Sequence, residues 1–163
     1  ALIDGNQSCF VNSATGYAWG DYLVQELPKK LAGWFPISPE GKDRRVMGVG
    51  TGGYGALMAA QNAPDSFAGA AAVNPVFDVS CLYGTDYEPK PEYLFGEKEA
   101  LASQGYALST KFQIPVQLYC DADHEEQARQ WAQNGTQITV ETVSADNLLE
   151  EAFQKYVEGG IRV

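Results

Sequence analysis

Five glycines fall within residues 48–55 of this 163-residue chain, and they restrict its fold more than any other feature of the sequence. They follow a short predicted strand at 44–49 and precede Leu57-Met58-Ala59-Ala60, which are residues that favour helix. Glycines at a strand-to-helix turn serve one of two purposes. They let a backbone approach a phosphate group at a helix N-terminus, or they permit the tight, strained turn that presents a nucleophile, written G-x-S-x-G.

Strand and helix patterns alternate along the rest of the chain. Strands are predicted at 1–3, 44–49, 67–73, 114–120 and 138–143, and helices from Trp19, after Gly55, at 125–133 and from Leu148. Residues 67–73 are small and apolar throughout, as in a strand that is buried on both faces. We therefore predict one α/β domain over 1–163, with a mainly parallel sheet flanked by helices and an irregular insertion at about 75–112.

Charge and composition exclude several classes of protein. Eleven basic and 21 acidic residues give a net charge of −10, which would repel a phosphate backbone, so we expect no nucleic acid partner. No run approaches the roughly 20 apolar residues that span a bilayer, and no signal-peptide pattern occurs, so we expect a soluble protein without membrane attachment and leave its compartment open. The cysteines, Cys9, Cys81 and Cys120, match neither a disulfide framework nor a zinc site, and we expect no cofactor or metal.

The phosphate-binding interpretation of the glycine cluster is incomplete. Gly48, Gly50 and Gly53 fit the dinucleotide pattern G-x-G-x-x-G. That pattern also needs an acidic residue at the end of the following strand, about 20 residues further on. The following predicted strand ends at Val73 and Asn74, which carry no carboxylate. A dinucleotide-binding protein is therefore the third hypothesis for this chain.

The nucleophile-turn interpretation is more specific. Gly48-Val49-Gly50-Thr51-Gly52 keeps both outer glycines of G-x-S-x-G and lacks the serine. Other motifs occur in the order in which the esterase D-like branch of the α/β hydrolases carries them: Ile3-Asp4-Gly5 with Ser8 and Phe10, Trp19-Gly20-Asp21-Tyr22-Leu23-Val24-Gln25-Glu26-Leu27, Gly53-Tyr54-Gly55-Ala56-Leu57, and Pro64-Asp65-Ser66-Phe67. The chain resembles this branch, which includes S-formylglutathione hydrolases, tributyrin esterases and feruloyl esterases, over nearly all of its length.

The resemblance implies a serine, an acid and a histidine in that chain order, and two of the three are absent. The nucleophile position falls on Gly50, which has no side chain to attack an ester. The acid position falls on Asp123, and the histidine position falls on Asn147, which cannot carry a proton between groups. The backbone N–H of Thr51 is the implied oxyanion donor. The resemblance therefore predicts an esterase homologue that has lost catalysis.

Nearby side chains offer substitutes, and each has a simpler interpretation. His124, the single histidine, adjoins Asp123 but is expected to be a solvated residue that opens a helix. The Thr51 side chain is expected to cap a helix rather than act as a nucleophile. Asp121, Asp123 and Glu125 are expected to be a solvated acidic group rather than a metal site. Four aromatic residues either line an acyl pocket or anchor the insertion: Tyr83, Tyr87, Tyr93 and Phe95.

The resemblance also implies that part of the sheet is missing. Residues 1–4 correspond to the end of the family's fourth strand and 44–49 to its fifth, and the strand between them in space precedes both in sequence. Without it, the strand at 44–49 exposes an apolar edge. We expect a second chain or self-association to supply the missing strands, and the alternative is a rearranged, smaller sheet.

Three hypotheses for function remain open. The first is an esterase-family homologue without catalysis that serves in binding or assembly, with a small ester-like ligand as one candidate. The second is an active carboxylesterase whose catalytic groups a partner chain completes. The third is the dinucleotide-binding protein.

Overall fold

A computed structural model describes residues 1–160, and its centre is a four-stranded parallel sheet. The strands are β1 (Arg45–Val49), β2 (Gly69–Val73), β3 (Lys111–Cys120) and β4 (Thr136–Thr142). They lie side by side in the order β1-β2-β3-β4, and each neighbouring pair is parallel. This arrangement confirms the predicted fold class, since parallel neighbours require crossover connections that cover the faces of the sheet.

Helices cover both faces of the sheet. The helices are α1 (Trp19–Asp21), α2 (Leu27–Trp34), α3 (Thr51–Asn62), α4 (Pro91–Phe95), α5 (Glu125–Ala132) and α6 (Leu148–Gly160). Ala70 and Ala72 of β2 face the side on which α3 and α5 pack, whereas Ala71 and Val73 face α6. All five residues of β2 are buried, which confirms the prediction of a strand enclosed on both faces. No helix within residues 1–160 is long and apolar enough to cross a membrane.

The first helical region continues past Pro28 instead of ending there. A π-helical segment, Tyr22–Glu26, joins α1 to α2, and Pro28 lies in the first turn of α2. Proline is tolerated in a first turn because the N–H that it lacks would have no partner within the helix. The helical region therefore continues through Pro28, although a proline inside a helix usually breaks or kinks it.

The N-terminal segment differs from its prediction. Residues 1–3 form no strand, because a strand requires a hydrogen-bonded neighbour and no described strand pairs with them, although Ile3 packs on the cluster of Leu23, Ala59 and Phe67. The next residues form a tight loop in which Asn6, Gln7, Cys9 and Phe10 all have positive φ values, between 47° and 58°. This loop packs on α3 at Gly55, where an added Cβ would lie 2.6 Å from the carbonyl oxygen of Cys9. Gly55 therefore permits the close approach of loop and helix.

The segment between β2 and β3 is mostly irregular and is anchored by aromatic residues. Phe95 is fully buried and meets the ring of Tyr54 edge to face. The Tyr54 hydroxyl donates to the carbonyl of Tyr106 (2.6 Å), and the Tyr83 hydroxyl donates to the carbonyl of Gly96 (2.7 Å). Tyr93 is exposed. Phe95 and Tyr83 therefore anchor the segment on the core, while its status as an insertion stays a prediction.

The contact between β1 and α3 generates a prediction about two glycines. A Cβ at Gly48 would overlap the carbonyl group of Gly52, whereas a Cβ at Gly52 would meet no atom within 4 Å. We expect Gly48→Ala to lower the free energy of unfolding by about 1–3 kcal/mol, the usual cost of overpacking. Gly52→Ala is the matched control, and we expect it to raise that free energy by about 0.5–1 kcal/mol because alanine favours helix. Urea unfolding of both variants measures the difference, and equal stabilities would contradict the close backbone contact.

Candidate active site at the glycine turn

Gly50 forms the sharp turn between β1 and α3. Its backbone angles are φ 56° and ψ −117°, a conformation that side-chain-bearing residues adopt only under strain. Its N–H donates to the carbonyl of Val73 (3.0 Å), and its own carbonyl accepts from the N–H groups of Tyr54 and Val76, both at 3.1 Å. The end of β2 and the first turn of α3 therefore hold Gly50 in the strand–turn–helix geometry that presents a nucleophile.

The space above Gly50 is open. A Cβ built at this position would meet no atom within 4 Å. The turn therefore has room for a side chain that the sequence does not supply. A serine here would bear the strain of a positive φ, and its Cβ would meet no neighbouring atom.

Thr51 is the first residue of α3, and its side chain does not cap the helix. The residue that precedes the helix is Gly50, and no side-chain hydrogen bond caps this terminus, so the predicted capping role of Thr51 is wrong. The Thr51 side chain instead lies near the Tyr87 hydroxyl. Burial raises the pKa of Tyr87 above its ordinary value, and the nearby Thr51 side chain opposes that rise. The backbone N–H of Thr51 lies at the positive end of the α3 dipole, where an oxyanion donor is required.

Tyr87 connects the turn to the N-terminal loop. Its hydroxyl donates to the carbonyl of Gln7 (2.7 Å) and lies 3.3 Å from Sγ of Cys9. Cys9 is 2% exposed, and burial raises the pKa of its thiol to about 11. The thiol is therefore protonated at neutral pH, which makes it a poor nucleophile. The sequence identifies Tyr87 only as an aromatic residue of the 75–112 segment. Its separation from Thr51 along the chain gives no sign that the two side chains lie close together.

A second polar cluster lies at the ends of β2 and β3. Nδ2 of Asn74 donates to Oδ2 of Asp121 (2.7 Å), and Nδ1 of His124 lies 2.6 Å from Oδ1 of the same carboxylate. The hydrogen bond from His124 holds the pKa of Asp121 below its ordinary value. His124 opens α5 and is half exposed, as predicted, but it pairs with Asp121 rather than standing free in solvent. The carboxylate held in place by hydrogen bonds at this edge of the sheet is that of Asp121. From the sequence, Asp121 is considered only as part of a metal site.

The implied acid and histidine positions are both exposed. Asp123 lies in the turn between β3 and α5, and its N–H donates to Oδ1 of Asp121 (3.1 Å). Asn147 ends a 3₁₀ turn, Ala145–Asn147, before α6. Within residues 1–160, neither the Asp123 carboxylate nor the Asn147 amide makes a side-chain hydrogen bond. Their assignment to the acid and histidine positions stays a prediction.

Two other expectations concern the same edge of the sheet. In the described part of the chain, no three His, Cys, Asp or Glu side chains come close enough to form a metal-binding group. The position where a dinucleotide site needs a carboxylate holds Asn74, whose amide is bound to Asp121. The dinucleotide hypothesis is not tested by this contact and stays a prediction.

Comparisons with known proteins agree on one family. A family model described as "Putative esterase" matches residues 5–161. The fold is similar to that of FphF, a fluorophosphonate-binding serine hydrolase of Staphylococcus aureus, with a TM-score of 0.75 at 19% identity. It is also similar to the S-formylglutathione hydrolase FrmB of Staphylococcus aureus, with a TM-score of 0.69 at 17% identity, and to a ferulic acid esterase, with a TM-score of 0.65 at 13% identity.

The matches cover almost all of this chain and a smaller share of the proteins that it resembles. The alignment with FphF includes 99% of this chain and 69% of FphF, and that with FrmB includes 98% and 69%. The alignment with the ferulic acid esterase includes 94% of this chain and 64% of that protein. The fold is thus α/β-hydrolase-like and lacks the N-terminal strands of the full fold. Because the family model spans residues 5–161, the chain belongs to this esterase family.

Proposed function

We propose that this chain is a catalytically silent member of the esterase family, whose family reaction is the hydrolysis of carboxylic esters and thioesters. The observation that carries the proposal is Gly50, which holds the nucleophile turn at φ 56° and has no side chain. Ester hydrolysis by this family begins with attack of a serine oxygen on the acyl carbon. A glycine at the turn supplies no oxygen, so the first bond of that reaction cannot form.

Neighbouring residues do not replace the serine. The Thr51 hydroxyl belongs to the next position of the chain, inside α3, and lies near the Tyr87 hydroxyl rather than at the turn itself. The Cys9 thiol is buried and protonated at neutral pH. A nucleophile must be both activated and aimed at the acyl carbon, and each of these groups fails one requirement.

The base is the second missing part. Asn147, at the proposed histidine position, accepts and donates hydrogen bonds but takes up no proton at neutral pH. The single histidine, His124, is bound to Asp121 in the turn after β3, which is the third strand of the sheet counted from β1. Loss of nucleophile and base together supports a role in binding or assembly.

The remaining features of the turn suit binding without turnover. The open space above Gly50 admits a ligand group, and the N-terminus of α3 favours a carbonyl oxygen or a negative charge. A small ester-like molecule fits both features, because its carbonyl oxygen accepts from the Thr51 N–H while its acyl carbon meets no nucleophile. We therefore propose a small ester-like ligand that binds at the turn and stays intact.

Restoring the missing groups tests the loss of catalysis. In the presence of the unmodified chain, we expect p-nitrophenyl acetate to be hydrolysed no faster than in buffer alone. We expect the double variant, Gly50→Ser with Asn147→His, to hydrolyse it clearly faster than buffer does. The double variant should exceed Gly50→Ser alone by roughly 10²-fold or more, because a general base contributes about that factor. The release of p-nitrophenolate, followed by absorbance, measures all three proteins. Gly52→Ser is the matched control, since it adds a serine with equal room two residues away from the turn.

Labelling with a fluorophosphonate separates the first two hypotheses. FphF is described as fluorophosphonate-binding, and such reagents bond to an activated serine oxygen. We expect the unmodified chain to gain no mass on treatment. Turnover by the unmodified chain that the reagent abolishes would instead support the active carboxylesterase completed by a partner chain. Quenching or enhancement of NADH fluorescence on titration would support the dinucleotide-binding hypothesis.

The cysteines generate a separate prediction about hidden thiol nucleophiles. Cys81 is exposed, whereas Cys9 and Cys120 are buried, and burial raises the pKa of each buried thiol to about 11. We expect iodoacetamide at pH 8 to modify Cys81 alone in the native protein and all three cysteines in guanidinium chloride. Intact mass and peptide mapping count and locate the adducts. Rapid native modification of Cys9 would show an activated thiol and would reopen the question of its role.

A further inference from the structure

A cleft lies against the C-terminal half of α3, away from the turn at Gly50. Its volume is about 450 Å³, a size typical of pockets that hold small molecules. Its walls come from the end of α3, from residues 20–25 of the first helical region, and from residues 104–106. None of the described residues that line it belongs to the glycine turn, so the cleft is a separate candidate site.

Hydrogen bonds between distant segments hold these walls in place. Oδ1 of Asn12 accepts from the N–H of Asp21 (3.0 Å), and the carbonyl of Asn12 accepts from the Tyr106 hydroxyl (2.7 Å). The N–H of Tyr106 donates to the carbonyl of Leu101 (2.9 Å), which closes the turn over 101–106. The cleft is therefore already formed before a ligand enters, as most small-molecule sites are.

The floor of the cleft is apolar. Met58 and Ala59 of α3 line it and are only 5% and 7% exposed. Val24 lies beside them and is partly buried. A ligand in the cleft therefore needs an apolar face of its own to cover this floor.

The rim of the cleft is polar and consists mainly of side-chain amides. The lining residues that carry an amide are Asn12, Gln25, Asn62 and Gln104. Within residues 1–160, the amides of Asn62 and Gln104 make no hydrogen bond to the protein. Each amide offers two N–H donors and a carbonyl acceptor side by side. The rim therefore suits a ligand whose polar groups both donate and accept.

The lining carries little charge. Among the described residues that form it there is no Lys, Arg or His, and Asp21 is the single carboxylate. An anionic ligand would find no basic partner and would be repelled by the net charge of −10. Asp21 is exposed and already accepts from Nε2 of Gln25 (3.4 Å), so water weakens its attraction for a cation. These features favour an uncharged ligand.

We propose that this cleft binds a neutral saccharide of one or two rings. The C–H groups on one face of a sugar ring rest on the apolar floor, which removes that surface from water. The hydroxyls around the ring donate and accept hydrogen bonds, as the free amides of Asn62 and Gln104 require. A wholly apolar ligand fits less well, because it would cover these amides and leave them without partners.

The test is a titration of the isotopically labelled chain with four neutral disaccharides: maltose, cellobiose, lactose and sucrose. In proton–nitrogen correlation spectra, the side-chain N–H₂ signals of Asn62 and Gln104 report directly on the rim. We expect at least one sugar to shift both signals saturably at millimolar concentration. Added sodium chloride should leave its Kd unchanged, because salt screens charges and the ligand has none.

Two variants and a matched control locate the binding. Gln104→Ala and Asn62→Ala each remove one amide from the rim, and each should weaken binding of that sugar about tenfold. Gln127→Ala should bind as the unmodified chain does, since Gln127 is an exposed glutamine of α5 that does not line the cleft. The backbone amide signals of each variant show that it is folded, and Gln104 is itself exposed, so its truncation leaves the core unchanged.

Three results would overturn the proposal. The first is no shift of either side-chain signal with any of the four sugars, and the second is equal weakening of binding by Gln127→Ala. The third comes from tetramethylammonium chloride as a cationic probe: larger shifts than with any sugar, lost on addition of sodium chloride, would replace the saccharide with a cation at Asp21. None of these measurements depends on ester hydrolysis, so failure of the cleft and failure of the proposed function are separate results.

Discussion

The backbone contact between β1 and α3 determines most of this structure. Gly48 lies against the carbonyl group of Gly52, so the helix begins directly over the strand that precedes it. That contact fixes the turn at Gly50, whose hydrogen bonds reach both β2 and the first turn of α3. It also brings Gly55 beneath the N-terminal loop. The glycines are therefore needed for packing, and this requirement explains how the turn persists in a chain that lacks the serine.

Glycine at position 50 also changes the energetics of the turn. A side-chain-bearing residue at a positive φ costs about 1–2 kcal/mol, and an enzyme accepts that strain because it aims the nucleophile. Gly50 adopts the same backbone conformation without the steric cost. Under the proposed loss of the nucleophile, the turn is relieved of strain and keeps its hydrogen bonds. Under the same proposal, selection for stability alone would keep such a substitution.

The sequence predicts the elements that a local residue pattern specifies. It does not predict those that depend on contact with a segment distant in sequence. The apolar run of β2 and the glycine turn are visible without coordinates, because burial on both faces and a positive φ each select residue types. Residues 1–3 were predicted as a strand from composition, but a strand exists only beside another. The bonds from Asn74 and His124 to Asp121 depend on the register of β2 and β3, and the bond from Tyr87 to Gln7 depends on how a long irregular segment folds back. No spacing rule contains that information.

The edge of β1 and the turn at Gly50 belong to one continuous piece of chain. β1 ends at Val49, and the next residue is Gly50, so the exposed edge of the sheet leads directly to the candidate site. Neighbouring strands lie about 4.8 Å apart, and parallel strands end at the same edge of a sheet. A segment that lies beside β1 in the parallel sense therefore ends next to the open space above Gly50, so the residues that cover this edge also determine the shape of the site.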